Sequence, residues 1–259
     1  MKILITGVNG YVGSSLYRGL KDQYDVVGIS RQDVDLTDSD KVNQYFSDKW
    51  FDVVIHCSVK GGNRLEEDGW SVMDGNLIMY YNLLHNKNKF GKFIHLGSGA
   101  EYSQSNKPYG LSKRVISRSI DGQDNFYNLR IYAVFDELEL DRRFIKANLK
   151  RYIDRTDMEI HQNKYMDFFY MEDMIKLVEH YVSNKDLPKH VDCTYSETQT
   201  LKDIAEFINT LDDYRVWINM PKDNKLVEGY VGFNKNLKLD YVGLKQGIIN
   251  TYNKLKCNQ

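Results

Sequence analysis

The chain has 259 residues, 42% of them hydrophobic and 27% charged, with 35 basic against 36 acidic side chains and a formal charge of -1. That length suits one large domain, or a main domain with a smaller lobe. The charge balance excludes the broad basic footprint of a nucleic-acid or anionic-membrane binder and leaves room only for local basic pockets.

In chain order, residues 2–6 (KILIT) read as a buried strand and 11–20 as the helix after it. A second strand is expected over 25–30 (DVVGIS), then a helix capped by Asp38 ahead of DKVNQYF. Residues 52–56 (DVVIH) form a third strand and 70–86 a long helix. A fourth strand covers 92–96 (KFIHL), a helix starts near Pro108, and 125–132 (NFYNLRIY) is a fifth strand. Beyond 135 the pattern loosens into helices at 142–152, 171–182, 201–211 and 241–255, with short strands near Phe168, Val191 and Val216. The alternation predicts an α/β fold, a Rossmann-type doubly wound parallel sheet with right-handed crossovers. It divides into residues 1–135, the nucleotide-binding domain, and 136–259, a smaller α/β substrate lobe. With three prolines and no Pro/Gly/Ser-rich linker, the lobe is expected to pack against the first domain and partly interleave with it.

The three cysteines, Cys57, Cys193 and Cys257, are odd in number and share no CxxC spacing, which argues against a disulfide framework and for the reducing cytoplasm. MKILITGVNG lacks the apolar core and cleavage site of a signal peptide. No stretch approaches the ~20 apolar residues that span a bilayer. No metal-ligand spacing joins the histidines to cysteines or carboxylates.

The first strand runs into Thr6-Gly7-Val8-Asn9-Gly10-Tyr11-Val12-Gly13, a TGxxGxxG turn. Glycines there permit a tight turn and close backbone approach to a pyrophosphate, which the following helix N-terminus attracts. An acid about 20 residues further on would bond the ribose 2′-OH of NAD. Ser30-Arg31 stands there instead, suited to the 2′-phosphate of NADP, with Asp33 or Asp35 as the alternative ribose acid.

Tyr109 and Lys113 in YGLSK lie at i and i+4 on one helix face. A nearby ammonium lowers a tyrosine pKa from about 10 and makes the phenol a usable acid. Ser98, after the fourth strand, is placed to bond a substrate oxygen whose charge changes. Tyr102 is a rival acid without a lysine four residues on.

With these residues in place the chain resembles the extended short-chain dehydrogenase/reductases, the NAD-dependent epimerase/dehydratase family. It is most similar there to GDP-L-fucose synthase and other nucleotide-sugar 4-keto reductases. The glycine loop, Asp35-Leu36-Thr37-Asp38, Val59-Lys60-Gly61-Gly62, Leu96-Gly97-Ser98, residues 109–113 and Leu129-Arg130 carry the resemblance, which is good over 1–132 and thinner beyond. It implies a Ser98-Tyr109-Lys113 triad. The cofactor would be NADP(H), held by Gly7, Asn9, Gly10, Tyr11, Val12, Gly13, Ser30, Arg31, Asp35, Leu36, Cys57, Ser58, Tyr109 and Lys113. Asp35 and Leu36 match the adenine-holding pair, and Cys57, like His56, a packing position against the cofactor. Lys60-Gly61-Gly62-Asn63-Arg64 is either a substrate contact or a plain loop. The family often dimerises through the helices that would be 70–86 and 108–120, so a homodimer is expected.

The departures bear on the substrate. Ser98 and Tyr109 are 11 positions apart, shorter than is usual for the family. Ala100 and Arg143 replace the cysteine and histidine that let fucose synthases epimerise, and neither exchanges a proton near neutrality. Ala133 replaces the asparagine that helps hold the sugar diphosphate, and Met166 the arginine before Asp167-Phe168. Arg142, Arg143 and Lys146 form either a substitute clamp or a solvated helix face.

The expectation is reduction of a 4-keto-6-deoxy nucleotide sugar by NADPH without epimerisation, in surface-polysaccharide biosynthesis. A nucleotide-sugar 4-epimerase and a non-catalytic NADP sensor are the alternatives. A dehydratase is set aside because Ser98-Gly99 lacks the Asp-Glu pair.

Overall fold

Continuous apolar runs become the centre of the sheet because both of its faces are covered. In the computed structural model, which describes residues 1–62, 67–222, 225–233 and 239–257, Ile3, Leu4 and Ile5 are completely buried. They belong to β1 (Lys2–Thr6), which is followed by α1 (Tyr11–Leu20), β2 (Asp25–Ile29), α2 (Ser39–Phe46), β3 (Phe51–His56), α3 (Trp70–His85) and β4 (Phe90–Ser98). Then come α4 (Ala100–Ser103), α5 (Pro108–Asp121) and β5 (Phe126–Ile131). Asp38 caps α2 by accepting from Lys41 N, and Pro108 opens α5 from Lys107 as N-cap, both as the sequence predicts.

The six-stranded sheet has the order β10-β5-β4-β3-β1-β2, where β10 (His190–Cys193) is an edge strand. β1 pairs in parallel with both β2 and β3, and β3 with β4, placing Ile5 opposite Ile55 and His56 opposite His95. The chain leaves β1 in one direction and returns on its other side as β3. The crevice at the carboxyl ends of those two strands is therefore the switch point where ligands bind in doubly wound sheets.

The chain divides into two compact units, residues 1–130 with 175–191 and residues 131–174 with 192–259. The division is not a single cut near 135, because α7 (Met171–Ser183) starts in the second unit and runs into the first. Leu4, Phe46, Phe51, Val54, Tyr80, Phe93 and Phe126 fill the first core, with Phe93 and Phe126 stacked at 4.8 Å.

The second unit contains β6 (Val134–Phe135), α6 (Phe144–Ile153), β7 (Met158–Glu159), β8 (Lys164–Met166) and β9 (Phe169–Tyr170). After β10 come β11 (Gln199–Thr200), α8 (Leu201–Ile208), β12 (Ile218–Asn219), β13 (Val227–Tyr230) and α9 (Leu244–Cys257). Its strands make a three-stranded sheet, β11-β8-β13, and two pairs, β12-β7 and β6-β9. A capping box between Thr200 and Asp203 starts α8. Among the described residues no helix is long and apolar enough to cross a membrane.

Candidate active site

The turn after β1 admits no side chain where it is tightest. Gly7 has φ +71°, and a Cβ on it would meet Ser58 N at 2.8 Å; one on Gly13 would overlap the Gly7 carbonyl oxygen. Gly10 caps α1 without a side-chain bond, and the first turn, opened by Tyr11 and Val12, carries no acid. Asn9 is exposed beside it. A bare backbone cradle under an uncapped helix N-terminus fits a dinucleotide pyrophosphate.

Thr6 ties this turn to the next strand. Its Oγ1 accepts from Cys57 N and Ser58 N at 3.2 Å each, leaving its proton to donate to His56 Nδ1 at 2.9 Å. Burial holds His56 down at about 3 and pushes the Cys57 thiol up to about 12, so both are neutral packing groups. His95 lies 5.4 Å from the His56 ring, and burial lowers it well below the usual histidine range too. Among the described residues no group of side chains could hold a metal ion.

At the end of β2, Ser30 does not stand open. Its N–H and hydroxyl both donate to Asp33 Oδ2, at 2.8 and 2.7 Å, and these bonds lower the Asp33 pKa. Arg31 Nε bonds Asp35 Oδ2 at 3.2 Å, but the arginine side chain remains 74% exposed. Asp35 also accepts from Thr37 N–H and hydroxyl, which with Arg31 bring it down to about 2. Leu36 is buried, its carbonyl accepting from Asn82. Arg31 can turn to a 2′-phosphate at small cost, since an exposed ion pair contributes little.

The predicted trio falls in the first unit, at the end of β4 and along α5. Ser98 is buried, its Oγ accepting from Ala100 N at 3.2 Å. Tyr109 is half-buried in the first turn of α5, with Lys113 Nζ 5.9 Å from its ring centre. Lys113 itself is 4% exposed and donates to Leu96 O at 2.7 Å. Burial lowers it to about 8, partly opposed by the Glu101 carboxylate, so the amine stays mainly protonated at neutral pH. Tyr102, the rival acid, instead lays its ring 5.1 Å from the Arg130 guanidinium.

Three features of this region escape a reading of the sequence. The segment after Ser98, for which the sequence predicts no element, contains α4, whose Ala100 carbonyl and the Gln104 carbonyl crowd Gly110 so closely that no Cβ fits there. Glu101 is buried and ion-paired to Arg130, and Asn128 donates to it at 3.3 Å. Asn76, an amide inside the apolar run of α3, bonds Lys60 and Ser112. That polar residue on a buried helix face was the available signal.

Lys60 and Gly61 lie on the loop after β3; Asn63 and Arg64 fall outside the described residues. In the second unit, Arg143 is exposed at the N-cap of α6. Lys146 does not belong to a free clamp, because it pairs with Asp141 at 2.9 Å and donates to Glu139 O at 2.7 Å. Ala133 packs against the second core, and Met166 is buried within it.

A family model described as the NAD dependent epimerase/dehydratase family matches residues 3–193. CDP-abequose synthase of Yersinia pseudotuberculosis is 25% identical over 241 residues, covering 82% of this chain and 85% of that protein. The GDP-mannoheptose C4 reductase of Campylobacter jejuni with NADP bound has a TM-score of 0.76 at 17% identity, over 98% of each chain. The UDP-glucose 4-epimerase of Thermotoga maritima with UDP-glucose reaches 0.80 at 16% identity, over 100% of this chain and 99% of the other. At that identity the two structures show a shared fold.

Proposed function

The chain belongs to the NAD dependent epimerase/dehydratase family, as an extended short-chain dehydrogenase/reductase, and we propose that it reduces the 4-keto group of a nucleotide-linked deoxy sugar with NADPH. The observation that carries the reading is the half-buried Tyr109 within 5.9 Å of a buried, protonated Lys113, one turn along the same helix, with Ser98 at the neighbouring strand end.

The bound nicotinamide supplies the hydride. Tyr109 gives its phenolic proton to the carbonyl oxygen as negative charge develops there. Ser98 donates a hydrogen bond to the same oxygen and orients it. Lys113 lowers the cost of the phenolate left on Tyr109, and its amine can exchange the Leu96 carbonyl for the cofactor ribose. Arg31 takes the 2′-phosphate. Ala100 and Arg143 offer no group to move a proton on sugar carbon, so reduction proceeds without epimerisation. The likeness to CDP-abequose synthase supports testing CDP-linked sugars first, and surface-polysaccharide biosynthesis is the setting proposed for the reaction.

A 4-epimerase retaining NAD is the second reading, favoured by the Asp33 carboxylate at the end of β2. The experiment is to follow NADPH and NADH oxidation with CDP-, GDP-, dTDP- and UDP-linked 4-keto-6-deoxy sugars, comparing wild type with Tyr109→Phe. Turnover with NADPH, reduced about 1,000-fold or more in the variant, supports the reductase. In a parallel assay with the corresponding 4-hydroxy nucleotide sugars, interconversion of 4-epimers without net oxidation of added cofactor supports the epimerase.

A further inference from the structure

The loop that leaves β3 is fastened on two sides before it reaches Tyr109. Lys60 N–H donates to Asn76 Oδ1 at 2.8 Å, and Asn76 Nδ2 donates to Lys60 O and to Ser112 Oγ, each at 3.1 Å. One buried amide on α3 thus joins the loop to the helix that carries Lys113. Two residues on, Gly62 N–H donates to both carboxylate oxygens of Asp68, at 3.2 and 3.0 Å. Gly62 adopts φ +76°, a conformation that costs other residues energy.

The side of Gly62 on which a side chain would project is occupied by the catalytic ring. A Cβ there would lie 2.9 Å from both Cε2 and Cζ of Tyr109. Cζ bears the hydroxyl, so the space beside Gly62 is closed by the reacting end of the phenol rather than its stem. Displacing this backbone displaces the acid, and a shift of about 1 Å in a reacting group is enough to cost on the order of 100-fold in rate.

We propose that Asp68 is a positioning residue for Tyr109: its carboxylate fixes the Gly62 main chain, and that main chain sets where the phenol hydroxyl stands. Asp68 acts through Gly62 and needs no contact with substrate or cofactor. The assignment of consequence to catalysis rests on the reductase reading above, whereas the mechanical link from Asp68 to Tyr109 does not. Two hydrogen bonds accepted by a carboxylate also predict that asparagine, which keeps one acceptor oxygen, preserves most of the effect while alanine abolishes it.

The test uses the full chain carrying 3-fluorotyrosine, with the Tyr109 fluorine resonance assigned by its loss in Tyr109→Phe. NADPH dissociation constants, kcat and KM are measured alongside. Asp68→Ala is expected to shift and broaden the Tyr109 resonance and to lower kcat about 10-fold or more, with NADPH affinity unchanged within about twofold. Asp68→Asn is expected to restore the resonance and most of kcat. Gly62→Ala, which presses on the same ring carbons, is expected to move the same resonance.

A Tyr109 resonance that stays in place in Asp68→Ala overturns the proposal, whether or not the protein turns over a sugar. An asparagine variant as impaired as alanine overturns it too. A resonance that moves and is restored by asparagine, in a protein inert toward every keto sugar, upholds the positioning link and refutes the reductase reading instead.

Discussion

Replacing Lys113 by Met separates what the amine contributes to chemistry from what its burial costs the fold. A lysine held at about 8 instead of 10.5 has lost about 3 kcal/mol of preference for its protonated form. The sign follows from linkage: the unfolded chain binds the proton more tightly, so the penalty is complete below about pH 8. It is relieved as the pH rises through 8 toward 10.5. Between pH 7 and 10 the stability of cofactor-free wild type relative to Lys113→Met is therefore expected to rise by about 2–3 kcal/mol. Loss of the bond to Leu96 O costs the variant about 1–3 kcal/mol, but independently of pH, so it offsets the curve without changing its shape. Urea denaturation of both proteins at a series of pH values reads this difference directly. A wild-type-minus-variant difference that stays flat across pH 7–10 refutes the buried, depressed amine and with it the electrostatic role given to Lys113.

Other residues predict effects of their own. Asp33→Asn removes a carboxylate from the end of β2 and is expected to tighten NADPH binding about threefold with NADH unchanged, whereas Arg31→Ala weakens NADPH about tenfold; titration of cofactor fluorescence checks both. Glu101→Leu removes a carboxylate partner of the buried Arg130 guanidinium and is expected to cost about 3–5 kcal/mol, most of it recovered in the Glu101→Leu/Arg130→Met double variant, as a denaturation cycle would show. Gly7→Ala forces a Cβ against Ser58 at a left-handed φ and is expected to destabilise by about 1–3 kcal/mol and to abolish measurable NADPH binding.

What could be read from the sequence follows from how far each signal reaches. β1 and β3 announce themselves because strands buried on both faces are continuous apolar runs, and Pro108 and Asp38 mark helix starts through purely local chemistry. The placement of Ser98 at the end of β4 and of Tyr109 and Lys113 four residues apart on α5 is legible for the same reason, since each position follows from a local pattern. The four residues of α4 are too few to display a period, and β6, β7, β9, β11 and β12 have two residues each. The bond between Ser30 and Asp33 is local, yet invisible, because Asp33 could equally have faced solvent or a ribose. Lys146 looks like a substrate cation until Asp141 and the Glu139 carbonyl are seen to occupy it. Asp68 and Asn76 act on backbone groups of a loop whose path no residue pattern specifies.

The central claim is that a hydride passes from the cofactor to the sugar carbonyl carbon while Tyr109 protonates its oxygen. The direct measurement is incubation of the protein with NADPH deuterated at nicotinamide C4 and a CDP-linked 4-keto-6-deoxy sugar, followed by mass spectrometry and proton NMR of the product. One deuterium at sugar C4 and none at C3 or C5, in wild type but not in Tyr109→Phe, is the result expected. With both C4 hydrogens of the cofactor deuterated, a product altered by wild type without deuterium at sugar C4, or solvent hydrogen exchanged into C3 or C5, contradicts it.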